Sequence, residues 1–108
     1  MINPLFSAQK VIRIEAEAIA ALAHQLDDHF TRAVAAILNT NGRLIICGMG
    51  KSGIIGKKIA ATMASTGTPS FFMHPGEAYH GDLGMVKPED VFLAISRSEE
   101  HTSELQSL

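Results

Sequence analysis

From about Ser7 to Asn39, apolar residues recur at helical spacing: Val11, Ile14, Ala18, Ala21 and Leu22, then Leu26, Phe30, Val34, Ile37 and Leu38. This predicts one apolar stripe carried on two helices or one bent helix. Asp27 and Asp28 suit the cap of a second helix beginning near His29, because a short carboxylate accepts the free N–H groups of a first turn. His24 and His29 read as solvated or capping side chains. The pattern changes at Asn39-Thr40-Asn41-Gly42, a turn cluster, after which "RLIIC" is a continuous apolar run of the kind found in a buried parallel strand. Ile54, Ile55, Ile59, Ala60, Met63 and Ala64 return to helical spacing, and "STGTP" ends that helix. "SFFMH" predicts a second strand. A turn at Lys87-Pro88-Glu89-Asp90 leads to a third from Val91 to Ile95. Helices, strand, helix, strand, loop, strand is the opening half of an α/β domain with a parallel sheet, Rossmann-like in order.

Composition narrows this picture. A chain of 108 residues, 46% hydrophobic, suffices for one small core and not two. Nine Lys and Arg stand against eleven Asp and Glu, with no basic stripe and little aromatic interleaving, so nucleic acid is not an expected partner. The N-terminal apolar run Ala18 to Ala23 is too short to span a bilayer and follows Arg13, Glu15 and Glu17, so neither a membrane nor a secretory leader is expected. Cys47, the single cysteine, reads as a small hydrophobe within its strand. A cytoplasmic protein is the expectation.

The candidate chemistry begins where the first strand ends, in "IICGMGKSGIIGKK". A Walker loop needs a glycine five residues before Gly50-Lys51, and Ile45 stands there. A dinucleotide loop matches as Gly48-x-Gly50-x-x-Gly53, but an acid is wanted about 20 positions on to hold the ribose, where Met73 and His74 lie. A simpler ligand remains. Glycines let backbone approach an anion, the next helix points its first amides and positive dipole end at it, and Lys51 adds a cation. A small phosphorylated ligand near Gly50, Lys51 and Ser52 fits, as does a tight strand-to-helix turn with a solvated lysine. "HPGEAYHGDLGM", residues 74 to 85, then brings His74, Glu77, His80 and Asp82 into a loop beyond the second strand, at the sheet edge where ligands of open α/β sheets bind. Imidazole at His74 or His80 can ligate a metal or move a proton, and idle polar histidines are equally compatible with the pattern.

The stretch "GMGKSGIIGKKIAATMASTGTPSFFMHPGEAYHGDLGMV" resembles the sugar isomerase (SIS) domain of bacterial D-arabinose-5-phosphate isomerases, and the resemblance runs from the N-terminal helices to Ser96. It implies an α/β fold, the N-terminal half of a SIS-type three-layer sandwich with a parallel sheet. It also implies interconversion of D-ribulose 5-phosphate and D-arabinose 5-phosphate for Kdo and lipopolysaccharide synthesis. Lys51 matches the family's active-site lysine. Gly67 and Thr68 match a substrate-contacting Gly-Thr pair, His80 a histidine at the substrate, and His74 a histidine associated with bound zinc. No cofactor is required by the family's chemistry, and zinc at His74 is the one metal the resemblance suggests. The parent enzyme is expected to be a homo-oligomer, a tetramer. Ile54 stands where a histidine is common. A SIS domain also serves elsewhere as a non-catalytic sugar-phosphate-binding module in regulators, a role that goes with an attached DNA-binding helix-turn-helix.

The family continues the third strand into an "SNSGE" phosphate loop, of which Ser96 is the matching substrate-binding residue that remains before "RSEEHTSELQSL". The run from Arg97 to Ser107 resembles the in-frame translation of a sequencing-library adapter. One Arg and three Glu there give −2, leaving eight charges of each sign in the rest. Residues 1–96 are therefore expected to form a partial SIS domain, with helices over 7–39 and three strands over 43–96. Residues 97–108 are expected to be a non-native polar tail, and a chain lacking the remaining strands, catalytic carboxylates and any CBS domains is expected to be inactive alone.

Overall fold

The fold is that of a computed structural model, which describes residues 2–96; the predicted tail lies outside the described residues. The chain divides into two compact units, the first ending at Ala35 and the second beginning at Ala36.

Two helices form where one stripe was read. Helix α1 spans Pro4–Leu22 and α2 spans Asp28–Asn39. The first starts ahead of the expected Ser7, since Asn3 caps it by accepting the Phe6 N–H at 3.1 Å and Pro4 supplies a preset φ at the first helical position. Asp27 caps the second, its Oδ1 accepting the His29 N–H at 2.9 Å, as the pattern predicted. The apolar stripe of α1 is present but uncovered: none of its residues is buried, and Val11, Ile14 and Leu22 are exposed.

The second unit is built on three parallel strands: β1 (Leu44–Gly48), β2 (Ser70–Met73) and β3 (Val91–Ile95), in the order β2-β1-β3. Leu44 pairs with Ser70 on one side and Val91 on the other. The chain thus leaves β1 in one direction for β2 and returns past it to β3, which makes the gap between β1 and β3 the point where the winding reverses. Because β1 is central and covered on both faces, it is apolar without alternation, and Leu44, Ile45 and Ile46 are at most 1% exposed. On one face Leu44 and Ile46 pack with Ala60 of helix α3 (Gly50–Ser65), flanked by Ile37, Met63 and Phe72. On the other, Ile45 and Met73 pack with Ala78 of a short helix, α4 (Pro75–Tyr79), and with Phe71 and Val86. The architecture is α/β with a parallel sheet. Cys47 is half-buried in β1, and burial pushes its thiol pKa up, which keeps it in the unreactive protonated form.

The segment from 74 to 85 differs from its expected loop. It folds as α4 followed by a 3-10 turn, Asp82–Met85, joined through Gly81 at φ 124°. The turn before β3 is pinned by Asp90, whose Oδ1 accepts the Arg43 N–H at 2.8 Å and whose Oδ2 accepts the Lys87 N–H at 2.8 Å. These backbone bonds from Lys87 and Arg43 lower the Asp90 carboxyl pKa to about 2.

Candidate functional site

Strand β1 hands directly to helix α3, and the glycines between them are explained by packing. A Cβ on Gly53 would sit 2.7 Å from the Gly48 carbonyl oxygen, and one on Gly48 would lie 3.1 Å from the Ser52 carbonyl. The helix therefore starts hard against the strand end, which two side chains would push apart. Gly50 serves differently: its φ of 58° is left-handed, and a Cβ there would meet nothing within 4 Å.

The sequence pattern predicts a loop at Gly50-Lys51-Ser52, whereas these residues are the first turn of α3. Met49 occupies the cap position without a side-chain hydrogen bond, and the first helical bond runs from the Gly53 N–H to the Met49 carbonyl at 3.2 Å. The amides of Gly50, Lys51 and Ser52 precede that bond and have no partner four residues back. With the helix dipole behind them and the exposed Lys51 among them, they form a positive end aimed past the carboxyl edge of the sheet.

Parallel strands bring further residues to that edge. Strand β2 ends at Met73 and is followed by His74; β3 ends at Ile95 and is followed by Ser96. His80 closes α4, one short helix beyond, exposed and edge-to-face with Tyr79 at 6.1 Å between ring centroids. Lys51, His74, Ser96 and, through α4, His80 thus emerge from one end of the sheet.

Gly67 and Thr68 do not join them. They follow the C-terminus of α3 and precede β2, at the opposite edge, where with Thr40, Gly42 and Pro69 they line a groove of about 270 Å³. The 16 residues of α3 separate them from Lys51 by about 24 Å at 1.5 Å per residue. One small ligand cannot touch both ends within a single chain.

His74 has a structural role, because its Nδ1 accepts the Gly76 N–H at 2.9 Å and so caps α4. That leaves Nε2 for a metal. Among the described residues, no three His, Cys, Asp or Glu side chains gather to hold a metal ion. Among the described residues, His74 stands alone as a candidate ligand for the zinc that the resemblance suggests. The cap was readable in "HPG", since a short polar acceptor before Pro at the first helical position is a helix-start pattern.

The sequence profile of the SIS domain matches residues 37–108, two thirds of the chain and all of the sheet. The chain belongs to the SIS domain family. The matched span takes in residues 97–108, which the sequence pattern had set apart. Similar relatives include the arabinose 5-phosphate isomerase KdsD of Yersinia pestis, 55% identical over 87% of this chain and 29% of that protein. The KdsD of Escherichia coli K12 is 53% identical over 94% of this chain and 31% of its own length. The chain thus spans about 30% of the length of these curated relatives. Among solved structures, E. coli CFT073 c3406 in complex with arabinose 5-phosphate superposes at a TM-score of 0.76 with 39% identity, over 99% of this chain and 58% of that one. A proposed phosphosugar isomerase involved in capsule formation from Bacteroides fragilis superposes at 0.83 with 39% identity, over 97% and 57%. Among the described residues of this SIS chain, no helix is long and apolar enough to cross a membrane.

Proposed function

We propose that this SIS chain is part of an aldose–ketose isomerase that interconverts D-ribulose 5-phosphate and D-arabinose 5-phosphate, serving Kdo and lipopolysaccharide biosynthesis. The observation that carries this reading is the 53–55% identity to arabinose 5-phosphate isomerases across nearly the whole chain. The positive start of α3 supports it, being chemically suited to an anionic sugar.

Isomerisation of this kind moves a proton between adjacent carbons through an enediolate, so it needs an acid–base group, stabilisation of the developing oxyanion and an anchor for the phosphate. In our reading Lys51 faces the developing negative charge, because its cation stands among amides that have no partner within the helix. Gly50 and Ser52 contribute those amides and bind substrate. His80 positions substrate or relays the proton, and Ser96, at the end of β3, is a further substrate contact. Gly67 and Thr68 cannot reach the same ligand within one chain, so in this reading their substrate contact is made across chains of the oligomer. His74 acts by capping α4. We assign the enzyme to the cytoplasm and to a homotetramer, association being supported by the uncovered apolar positions of α1.

The test joins residues 1–96 to the remainder of the E. coli relative and follows isomerisation of ribulose 5-phosphate. Lys51→Ala should lower turnover by about 10²–10³, the usual loss for one preorganised electrostatic donor. His80→Ala should lower it by about 10²–10⁴ if it relays the proton. Near-normal turnover for Lys51→Ala would reject its assignment and leave the start of α3 a packing turn. Arabinose 5-phosphate binding without any isomerisation would favour a non-catalytic sugar-phosphate module.

A further inference from the structure

The segment that carries His80 is anchored at its two ends and loose in its middle. At its start, Ala78 is buried against Ile45 and Met73. From Tyr79 to Gly84 every residue except Asp82 is exposed, and the internal bonds are backbone ones: Gly81 N–H to Ala78 O at 3.2 Å, Gly84 N–H to Gly81 O at 3.0 Å and Val86 N–H to Leu83 O at 3.1 Å. At the far end the Met85 carbonyl accepts a hydrogen bond from Arg43 Nη2 at 2.8 Å.

Arg43 comes from elsewhere in the chain, immediately before β1, and its guanidinium is itself held in place. Nη2 also donates to Asp90 Oδ2 at 3.2 Å, and the group lies over the Phe71 ring at 4.8 Å from its centroid. The Asp90 side chain is 1% exposed and further fixed by the Arg43 and Lys87 N–H groups. Gly42 makes room for it, since a Cβ there would approach Asp90 Oδ1 to 2.6 Å. A charged donor oriented by a buried carboxylate and an aromatic face is stiffer than an exposed lysine would be. We propose that Arg43, oriented by Asp90 and Phe71, is a positioning residue that fixes the His80-bearing segment against β1, the strand whose other end leads to Lys51. Its importance for catalysis rests on the isomerase reading; its effect on the segment does not.

The test measures amide hydrogen exchange in the 108-residue chain, residue by residue. Arg43→Met keeps an apolar stem on Phe71 and removes the donor. It should speed exchange at Gly81, Gly84 and Val86 at least tenfold while Ile45 and Ile46 of β1 keep their rates. Arg43→Lys, which retains a donor, should recover at least half of that change on a logarithmic scale. Unchanged exchange in the segment would overturn the proposal, as would acceleration shared by β1, which would mean that Arg43 merely supports the fold. A lysine variant no better than methionine would overturn it too. Should Arg43→Met fail to fold, Asp90→Asn removes the charge that orients the guanidinium, and the same amides should show the same acceleration; unchanged rates there would again overturn the proposal. Added arabinose 5-phosphate should shift the His80 imidazole proton resonance in the hybrid that joins residues 1–96 to the remainder of the E. coli relative, and less when that hybrid carries Arg43→Met. If the hybrid's resonance does not move, the isomerase reading fails at this site while the exchange result stands on its own.

Discussion

At the scale of single residues, the three glycines at the β1–α3 junction are not interchangeable. Gly53→Ala drives a methyl group into the Gly48 carbonyl, backbone against backbone, so neither partner can rotate away. Overpacking of this kind costs about 1–3 kcal/mol, and we expect the upper part of that range from urea denaturation. Gly50→Ala meets open space and suffers only from its left-handed φ, a cost of about 1–2 kcal/mol, and Gly50→Asn should cost less. A larger loss for Gly50→Ala than for Gly53→Ala would contradict this division. His74 can be dissected similarly. His74→Ala removes the α4 cap and should cost about 1 kcal/mol, whereas His74→Asn keeps an acceptor for the Gly76 N–H and removes the imidazole. If the two variants melt alike, the cap contributes nothing. The glycine spacing was legible in the sequence, but its purpose was not: "GMGKSG" reads as a ligand loop until the distance from Gly53 to the Gly48 carbonyl shows that close packing alone requires two of the three.

At the scale of elements, legibility followed length and surroundings. Strand β1 was readable because burial on both faces removes polar residues from it altogether. Helix α3 was readable because 16 residues hold enough turns to display a period. Helix α4, with five residues including a glycine, spans little more than one turn, so no periodicity could separate it from a loop. The separation of Gly67 and Thr68 from Lys51 became visible only once the strands were known to be parallel and the helix between them to span 16 residues. The turn before β3 makes its own prediction. Its carboxyl, Asp90, has a pKa lowered to about 2 in the folded chain, against about 3.9 in an unfolded one. The deprotonated form is thus favoured by folding. Its stabilisation is complete above pH 4 and is lost as pH falls from there towards 2. Denaturation midpoints measured across this window should fall for the parent chain. They should fall less for Asp90→Asn; equal slopes would show that other carboxylates govern acid unfolding.

At the scale of the whole molecule, many large apolar side chains among the described residues stand exposed. Leu5, Ile12 and Ile19 lie seven residues apart along α1 and are 68%, 63% and 68% exposed. Phe92 and Leu93 of β3, at the sheet's edge, are exposed as well. Exposed edges and contiguous apolar helix faces favour association. Light scattering on the 108-residue chain in dilute buffer should therefore report a mass above that of one chain, reduced by Ile12→Glu together with Ile19→Glu. A monomer that unfolds cooperatively would refute this.

The strand order also imposes a sequence of events in time. The pairing of β1 with β2 closes a span of 26 residues, from Leu44 to Ser70, whereas pairing with β3 closes 47, from Leu44 to Val91. Loop-closure entropy separates the two by only about 0.5 kcal/mol, so it does not decide the order. What decides it is that the nearer pairing completes a strand–helix–strand unit in which Leu44, Ile46 and Ala60 find each other. During synthesis that unit leaves the ribosome before Asp90 does. The nascent chain can thus possess a nucleus with an open flank on β1, a flank that β3 must claim before a neighbouring polypeptide does.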